Sequence, residues 1–202
     1  MKKGLIIILA IVVLIVILVA TLTGKYNSFV SLEEAVEGQW GNVENVYQRR
    51  GDLIPNLVAT VKGYAAHERE TLEAVIEARA KATSIQAQIT PETLGDPNLL
   101  QQFQAAQGQL GAALGRLMVV IERYPDLKAN QNFLTLQSQL EGTENRIAVA
   151  RKDYIEAVRQ YNTEMKTIPG RWWHSWLYPE YEPMPNFSAP EATQAPAPQV
   201  QF

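Results

Sequence analysis

The first apolar stretch of the chain is long and unbroken. Residues 4–22 read GLIIILAIVVLIVILVATL and carry no charge, and lysines flank them on both sides. A helix of that length rises about 30 Å, which matches the hydrocarbon core of a bilayer. A helix also satisfies its own backbone groups inside lipid. The pattern therefore predicts a transmembrane helix within residues 1–25.

A cleaved secretory signal is the alternative reading of this stretch. Signal peptides usually have a shorter apolar stretch that ends in small residues. Here Val19-Ala20-Thr21 is a poor cleavage site, and the chain has no cysteine for lipid attachment. We therefore expect an uncleaved single-pass anchor. Lys2 and Lys3 before the span, against Lys25 after it, favour a cytoplasmic N-terminus and a domain on the outer side.

After the span, apolar residues recur at steps of three and four, as they do on one face of a helix. Asp52 and Pro55 fit the start of a second helix, because aspartate caps helices and proline suits a first turn. Asp96-Pro97 opens a third helix by the same rule. The four apolar stripes run from Phe29 to Tyr47, from Leu57 to Arg79, from Phe103 to Tyr124 and from Phe133 to Met165.

Long helices joined by short turns pack antiparallel. The expected fold class is thus all-α, with an N-terminal transmembrane helix followed by a long antiparallel four-helix bundle. The last residues are rich in Pro, Ala, Gln and Thr, which predicts a disordered C-terminal tail. The expected segments are the anchor 1–25, the bundle 26–169, an aromatic-rich extension 170–187 and the tail 188–202.

Composition leaves little material for catalysis. The net charge is −3, so we expect no nucleic-acid partner. The absence of cysteine excludes disulfides and thiol chemistry. His67-Glu68 resembles the start of a zinc-protease motif, but Thr71 stands where the second histidine is needed. We predict no catalytic residue, no metal site and no cofactor. Gly108, Gly111 and Gly115 are expected to mark close helix contacts.

Charged residues fall on or beside the apolar stripes. A charge inside a bundle is costly unless it is paired, so we predict ion pairs between helices. One hypothesis is that these pairs fix the helix register, which is the reading we favour. The other is a polar pocket that binds a ligand. The residues concerned are Arg50, Asp52, Glu68, Arg79, Glu144 and Arg151.

An aromatic cluster follows the fourth stripe. Such residues suit a membrane interface, where a ring is half buried and its polar atom is wet. They equally suit a segment that folds back on the bundle or contacts another subunit, or a patch that docks a separate partner. The sequence leaves these three alternatives open. The cluster consists of Trp172, Trp173, Trp176 and Tyr178, with Tyr181 close behind.

Several motifs together resemble the LemA family of bacterial membrane-anchored proteins. The matching segments include RRGDLIPNL at residues 49–57, Tyr64 with His67-Glu68, Tyr124-Pro125, Glu144 with Arg151, and Tyr161-Asn162. The resemblance covers about residues 1–169 and departs at Ile155, where the family tends to carry Asn. It implies an anchored antiparallel bundle in a bacterial cell membrane and no defined activity. It also implies that the domain lies inside, opposite to the lysine count, so the side stays open.

These observations favour a non-enzymatic, membrane-anchored helical scaffold that forms a homo-oligomer. Its expected partners are the lipid bilayer, other copies of the chain and a membrane-protein partner. The alternative is an accessory subunit that presents substrates or signals to a membrane enzyme such as a protease. A stimulus receptor with a ligand-binding bundle ranks third. An enzyme ranks last, because no nucleophile–base set was found.

Overall fold

The computed structural model describes residues 2–168, 170–171, 179 and 181–187. These residues are mostly helical and include no strand, which confirms the all-α class. The predicted disordered tail, 188–202, lies outside the described residues. The helices are α1 (Lys2–Tyr64), α2 (Arg69–Gln86), α3 (Pro97–Ile121), α4 (Pro125–Lys128) and α5 (Gln131–Lys166), with a short 3₁₀ helix at Pro91–Thr93.

Helix α1 joins the apolar span to the bundle without a break over 63 residues. Its N-terminal part is exposed along its whole length, and the rest packs against other helices. Among the described residues, α1 is the one helix that is long and apolar enough to cross a membrane. The bundle thus starts on the same helix that carries the span.

The predicted helix start at Asp52 and Pro55 is wrong. Helix α1 continues through Pro55 to Tyr64, and the chain turns at residues 65–68 instead. Proline lacks an N–H, so the carbonyl four residues earlier, that of Gly51, has no helical donor. Arg79 Nε donates to this oxygen at 2.7 Å. A hydrogen bond from α2 therefore replaces the one that the proline removes.

The predicted start of α3 is confirmed. The Asp96 carboxylate accepts a hydrogen bond of 2.8 Å from the Asn98 N–H, and Pro97 is the first helical residue. Helix α5 begins in the same way, because Asn130 Oδ1 accepts from the N–H groups of Asn132 and Phe133. Both caps satisfy backbone donors that a helix start leaves free.

Contacts at the two ends of the bundle fix its antiparallel order. Helix α5 packs along α1, and α3 packs along α2, which also contacts α1. Just after the span, Lys25 Nζ contacts Glu164 Oε1 at 2.6 Å. The opposite end, which we call the tip, contains the turns after α1, α3 and α4. There Arg123 Nη2 contacts Glu68 Oε1 at 2.9 Å.

The buried apolar side chains form two clusters along the bundle. The distal core lies towards the tip and unites residues from all five helices, such as Leu57, Val75, Leu117, Leu127 and Phe133. The proximal core lies towards the span and includes Phe29, Trp40, Phe103, Tyr154 and Phe187. Phe187, which follows the bundle helices in sequence, thus contacts proximal-core residues of both α1 and α5.

Gly108, Gly111 and Gly115 are not close helix contacts within the described chain. A Cβ atom built at each of them would meet no heavy atom within 4 Å. Helix α3 packs instead through a neighbouring face that carries Leu110, Leu114 and other buried side chains. The expectation was wrong because the apolar stripe of α3 and its glycines lie on different faces.

Candidate functional site

A buried arginine lies at the middle of the bundle. Arg50 on α1 is 4% exposed. Its Nη1 contacts Glu144 Oε1 on α5 at 2.7 Å, and its Nη2 donates to Gln107 Oε1 on α3. The guanidinium carbon also lies 5.0 Å from the centre of the Tyr47 ring. Arg50 therefore connects three helices at one level, which we call the polar layer (Arg50, Gln107 and Glu144).

The two ends of this ion pair differ in exposure. The Arg50 side chain is 5% exposed, whereas that of Glu144 is 53% exposed. Arg50 loses more of its hydration than Glu144 does. Hydrogen-bond partners are therefore needed more at Arg50, to offset its free energy of desolvation. The Arg50 Nε is buried and makes no hydrogen bond with any described residue. The geometry suits a group that fixes the register of α1, α3 and α5.

Arg151 and Tyr47 border the polar layer on the side of the span. The Arg151 guanidinium lies 4.5 Å from the centre of the Phe187 ring, which is a cation–π distance. Burial raises the pKa of the Tyr47 phenol, and the positive charges of Arg151 and Arg50 act in the opposite direction. Tyr47 therefore stays protonated and neutral between two arginines.

A polar cavity of about 240 Å³ opens beside this layer, between α1, α2 and α3. Arg79 and Gly51 line it, joined by the hydrogen bond that compensates for Pro55. Asp52 and Glu44 also line it, together with Gln107 of the polar layer. The cavity is thus continuous with the polar layer at Gln107.

The six predicted charged residues do not form one cluster. Arg50 and Glu144 form a cross-helix pair, whereas Arg79 contacts a backbone carbonyl. Asp52 is exposed and has no hydrogen bond or ion pair among the described residues. Arg50 is the one buried member of the six. Asp52 and Glu144 are exposed, and the other three are half-buried.

Glu68 lies far from the polar layer, in the turn at the tip. Its Oε1 accepts hydrogen bonds from Arg123 at 2.9 Å and from the Tyr124 hydroxyl at 3.1 Å. Nearby, Asn130 Nδ2 donates to the Tyr64 hydroxyl at 2.9 Å. Residues of three separate turns are therefore tied together. Arg123, the partner of Glu68, was not among the six predicted residues. The two meet because Glu68 lies in the turn before α2 and faces the turn between α3 and α4.

Residues 181–187, which we call the strap, pack across α1 and α5. Asn162 Nδ2 donates to the Met184 carbonyl and Asn162 Oδ1 accepts from the Met184 N–H, both at 2.9 Å. Phe187 is buried against Trp40 and Tyr154. Sequence analysis missed Asn162, Phe187 and Gln107 as structural contacts. The Tyr161-Asn162 motif was the available signal.

The structure describes residues next to the predicted aromatic patch but not the patch itself. Trp172, Trp173, Trp176 and Tyr178 lie outside the described residues. Tyr181, the next aromatic residue, stacks on Phe29 with ring centres 5.6 Å apart. Phe29 is four residues after Lys25, so Tyr181 lies at the end of the bundle next to the span.

Among the described residues, no group of three His, Cys, Asp or Glu side chains could hold a metal ion. His67 is exposed in the turn at the tip.

A span continuous with a helical bundle defines a membrane-associated helical-bundle protein. The LemA family model matches residues 39–202, and the chain belongs to that family. It is 31% identical over 169 residues to the magnetosome protein MamQ 2 of Paramagnetospirillum magneticum, covering 77% of this chain and 62% of the relative. It is 21% identical over 145 residues to protein LemA of Metamycoplasma hominis, covering 72% of this chain and 61% of that one. The chain therefore spans about three fifths of the length of these relatives.

Proposed function

We propose that this protein is a non-enzymatic scaffold, held in a bacterial cell membrane by a single span and assembled side by side with other copies. The continuity of α1 from the span to the tip is the observation that carries the proposal. A flexible linker would let the bundle move independently of its anchor. A shared helix instead holds the bundle in a defined orientation to the bilayer.

A shared membrane restricts how copies can meet. All copies point the same way from the bilayer, so their side faces meet at equal height. On α3, an exposed stripe of small residues repeats at steps of three and four, which is the spacing of a helix-packing seam. It comprises Ala105, Gly108, Ala112 and Gly115 and ends at Val119, which is 71% exposed. This face supports lateral packing with a second copy.

The position of the strap supports a further contact with the bilayer. Glu164 on one side of the aromatic-rich sequence contacts Lys25, and Tyr181 on the other side stacks on Phe29. Both flanking residues are thus close to the end of the span. We propose that Trp172, Trp173, Trp176 and Tyr178 contact the membrane interface, where tryptophan and tyrosine are favoured.

The relatives support only the general part of this proposal. MamQ is named as a magnetosome protein, and that name applies to the relatives. For this chain we propose the anchored bundle as the shared feature.

Light scattering of the detergent-extracted full chain tests self-assembly. A particle mass above one chain is expected after subtraction of detergent, and a strict monomer at all concentrations would overturn the proposal. A monomer that copurifies with one enzyme in fixed ratio would support the accessory-subunit alternative instead.

Disulfide trapping then tests the assembly face. Because the chain has no cysteine of its own, only the introduced cysteine can form a crosslink. Val119→Cys in membranes should form a disulfide-linked dimer on mild oxidation, because equal heights bring the same residue together. Lys62→Cys, an exposed α1 position near the tip, is the matched control and should stay monomeric. Equal crosslinking at both positions would indicate random collision and would reject the α3 face.

A further inference from the structure

The cavity beside the polar layer contains polar groups that the fold leaves unused. Gln107 lines it and is 7% exposed. Its oxygen accepts from Arg50, while its amide nitrogen has no partner among the described residues. The buried atoms without a partner among the described residues are Trp40 Nε1 and Arg50 Nε, so the Gln107 nitrogen is open to the cavity and can donate to a molecule bound there.

Arg79 supplies the second set of donors. Its Nε–H is fixed on the Gly51 carbonyl at 2.7 Å, and its two Nη groups make no hydrogen bond with the described residues. Because Nε is held, the guanidinium plane is oriented before any ligand arrives. A preorganised guanidinium with two free nitrogens suits a carboxylate, which it can bind through two hydrogen bonds.

The acceptors lie at the other end of the cavity. Gln86 is 9% exposed, and its Nε2 donates to the Glu44 carbonyl at 3.2 Å, which leaves its own oxygen without a partner among the described residues. Glu44 also lines the cavity, and its carboxylate makes no ion pair or hydrogen bond with a described residue. Two adjacent oxygen acceptors, one of them a carboxylate, suit an ammonium group.

The spacing of the two ends indicates the size of the ligand. Gly51, which holds Arg79, lies seven residues after Glu44 on α1, so the ends are separated by about 10 Å along the helix. An extended peptide advances about 3.5 Å per residue, so two or three residues fit between them.

We propose that this cavity binds a short peptide with free ends, whose carboxylate contacts Arg79 and Gln107 and whose ammonium contacts Glu44 and Gln86. Asp52 adds a second negative charge to the wall near Arg79. It favours ligands whose net charge is zero or positive over simple anions. This inference concerns a surface separate from the α3 face, so its outcome does not depend on self-assembly.

Calorimetric titration of the full chain in detergent with dialanine and trialanine tests the proposal. N-acetyl-dialanine lacks the ammonium, and dialanine amide lacks the carboxylate, so each removes one half of the recognition. Saturable binding of at least one free peptide is expected, with affinity at least about ten-fold higher than for either blocked form. Absence of binding by both free peptides would overturn the proposal.

Variants locate the binding. Glu44→Gln should weaken it about ten-fold, because one charge-assisted hydrogen bond is lost. Glu77→Gln, an exposed change on α2 outside the cavity lining, is the matched control and should leave the affinity unchanged. Circular dichroism verifies that each variant is folded. Binding that survives undiminished in Glu44→Gln would place the peptide elsewhere and reject this site.

Discussion

Arg79 on α2 donates a hydrogen bond of 2.7 Å to the carbonyl oxygen of Gly51 on α1. This oxygen is the one that Pro55 deprives of its helical donor. The two helices are therefore joined at the point where α1 would otherwise be weakest. The same bond orients the guanidinium that lines the cavity.

The first prediction is that the Arg79 contribution depends on Pro55. Arg79→Met should lower the free energy of unfolding by about 1–2 kcal/mol, because a carbonyl loses its donor. In a Pro55→Ala background, the backbone N–H gained at that position restores the helical bond, and the same change should cost about 1 kcal/mol less. Denaturant unfolding of the four chains in detergent measures the coupling. Equal losses in both backgrounds would show that the carbonyl is not the shared element.

The second prediction concerns the polar layer. Glu144→Gln should lower the free energy of unfolding by about 1–2 kcal/mol, because Arg50 keeps Gln107 but loses its charged partner. The expected loss in free energy is small because Glu144 is half exposed and water screens its interaction with Arg50. Glu141→Gln, one turn earlier on the exposed side of α5, serves as the control. An unchanged thermal midpoint and unchanged assembly in Glu144→Gln would refute a stabilising pair.

The third prediction concerns the strap. Asn162→Ala removes both hydrogen bonds to Met184, so amide hydrogen exchange in residues 181–187 should become at least about ten-fold faster, which corresponds to about 1.4 kcal/mol. Phe187→Ala should have a similar or larger effect, since it empties the contact with Trp40. Asn145→Ala on an exposed part of α5 is the control. Unchanged exchange in Asn162→Ala would mean that the strap is held by its side chains alone.

The fourth prediction is a pH dependence at Glu33. Burial raises the pKa of its carboxyl, and the neighbouring Glu37 and Glu34 charges raise it further. A raised pKa in the folded state means that protonation favours folding. This contribution is complete below the ordinary value of 4.5 and is lost as the pH rises through the folded-state value.

Glu33→Gln should therefore stabilise the protein at pH 7 and have little effect at pH 4. Thermal unfolding of the wild type and the variant at both values measures the difference. Glu70→Gln, at the exposed start of α2, is the control. A variant that is less stable than the wild type at pH 7 would contradict the prediction.

Local rules predicted those features that depend on neighbours in sequence. Asp96 and Pro97 start α3 as expected, because the capping oxygen and the satisfied N–H groups lie within three residues. The same rules misplaced the second helix at Asp52, since the donor that keeps α1 intact comes from Arg79 on another helix. Periodicity indicates which face of a helix is apolar. It does not indicate that a side chain on another helix donates a hydrogen bond to the Gly51 carbonyl.

The site was harder to predict than the fold for a similar reason. Glu68 was placed among buried pairs because it falls on a helical stripe, yet it lies in a turn and contacts Arg123. Arg50 and Glu144 do meet, but Gln107 completes the contact and carries no charge to suggest it. Phe187 lies in a proline-containing stretch whose composition alone gives no sign that one ring is buried.

The continuous α1 has a mechanical consequence. From Lys25 to Tyr64 it advances about 60 Å beyond the span. A transmembrane helix tilts when the bilayer becomes thinner than its apolar length, and a tilt of about 10° at the base would move the tip sideways by about 10 Å. Anchored in a bilayer as proposed above, the protein would convert a change in bilayer thickness into lateral displacement of the turns at Tyr64, Glu68 and Asn130.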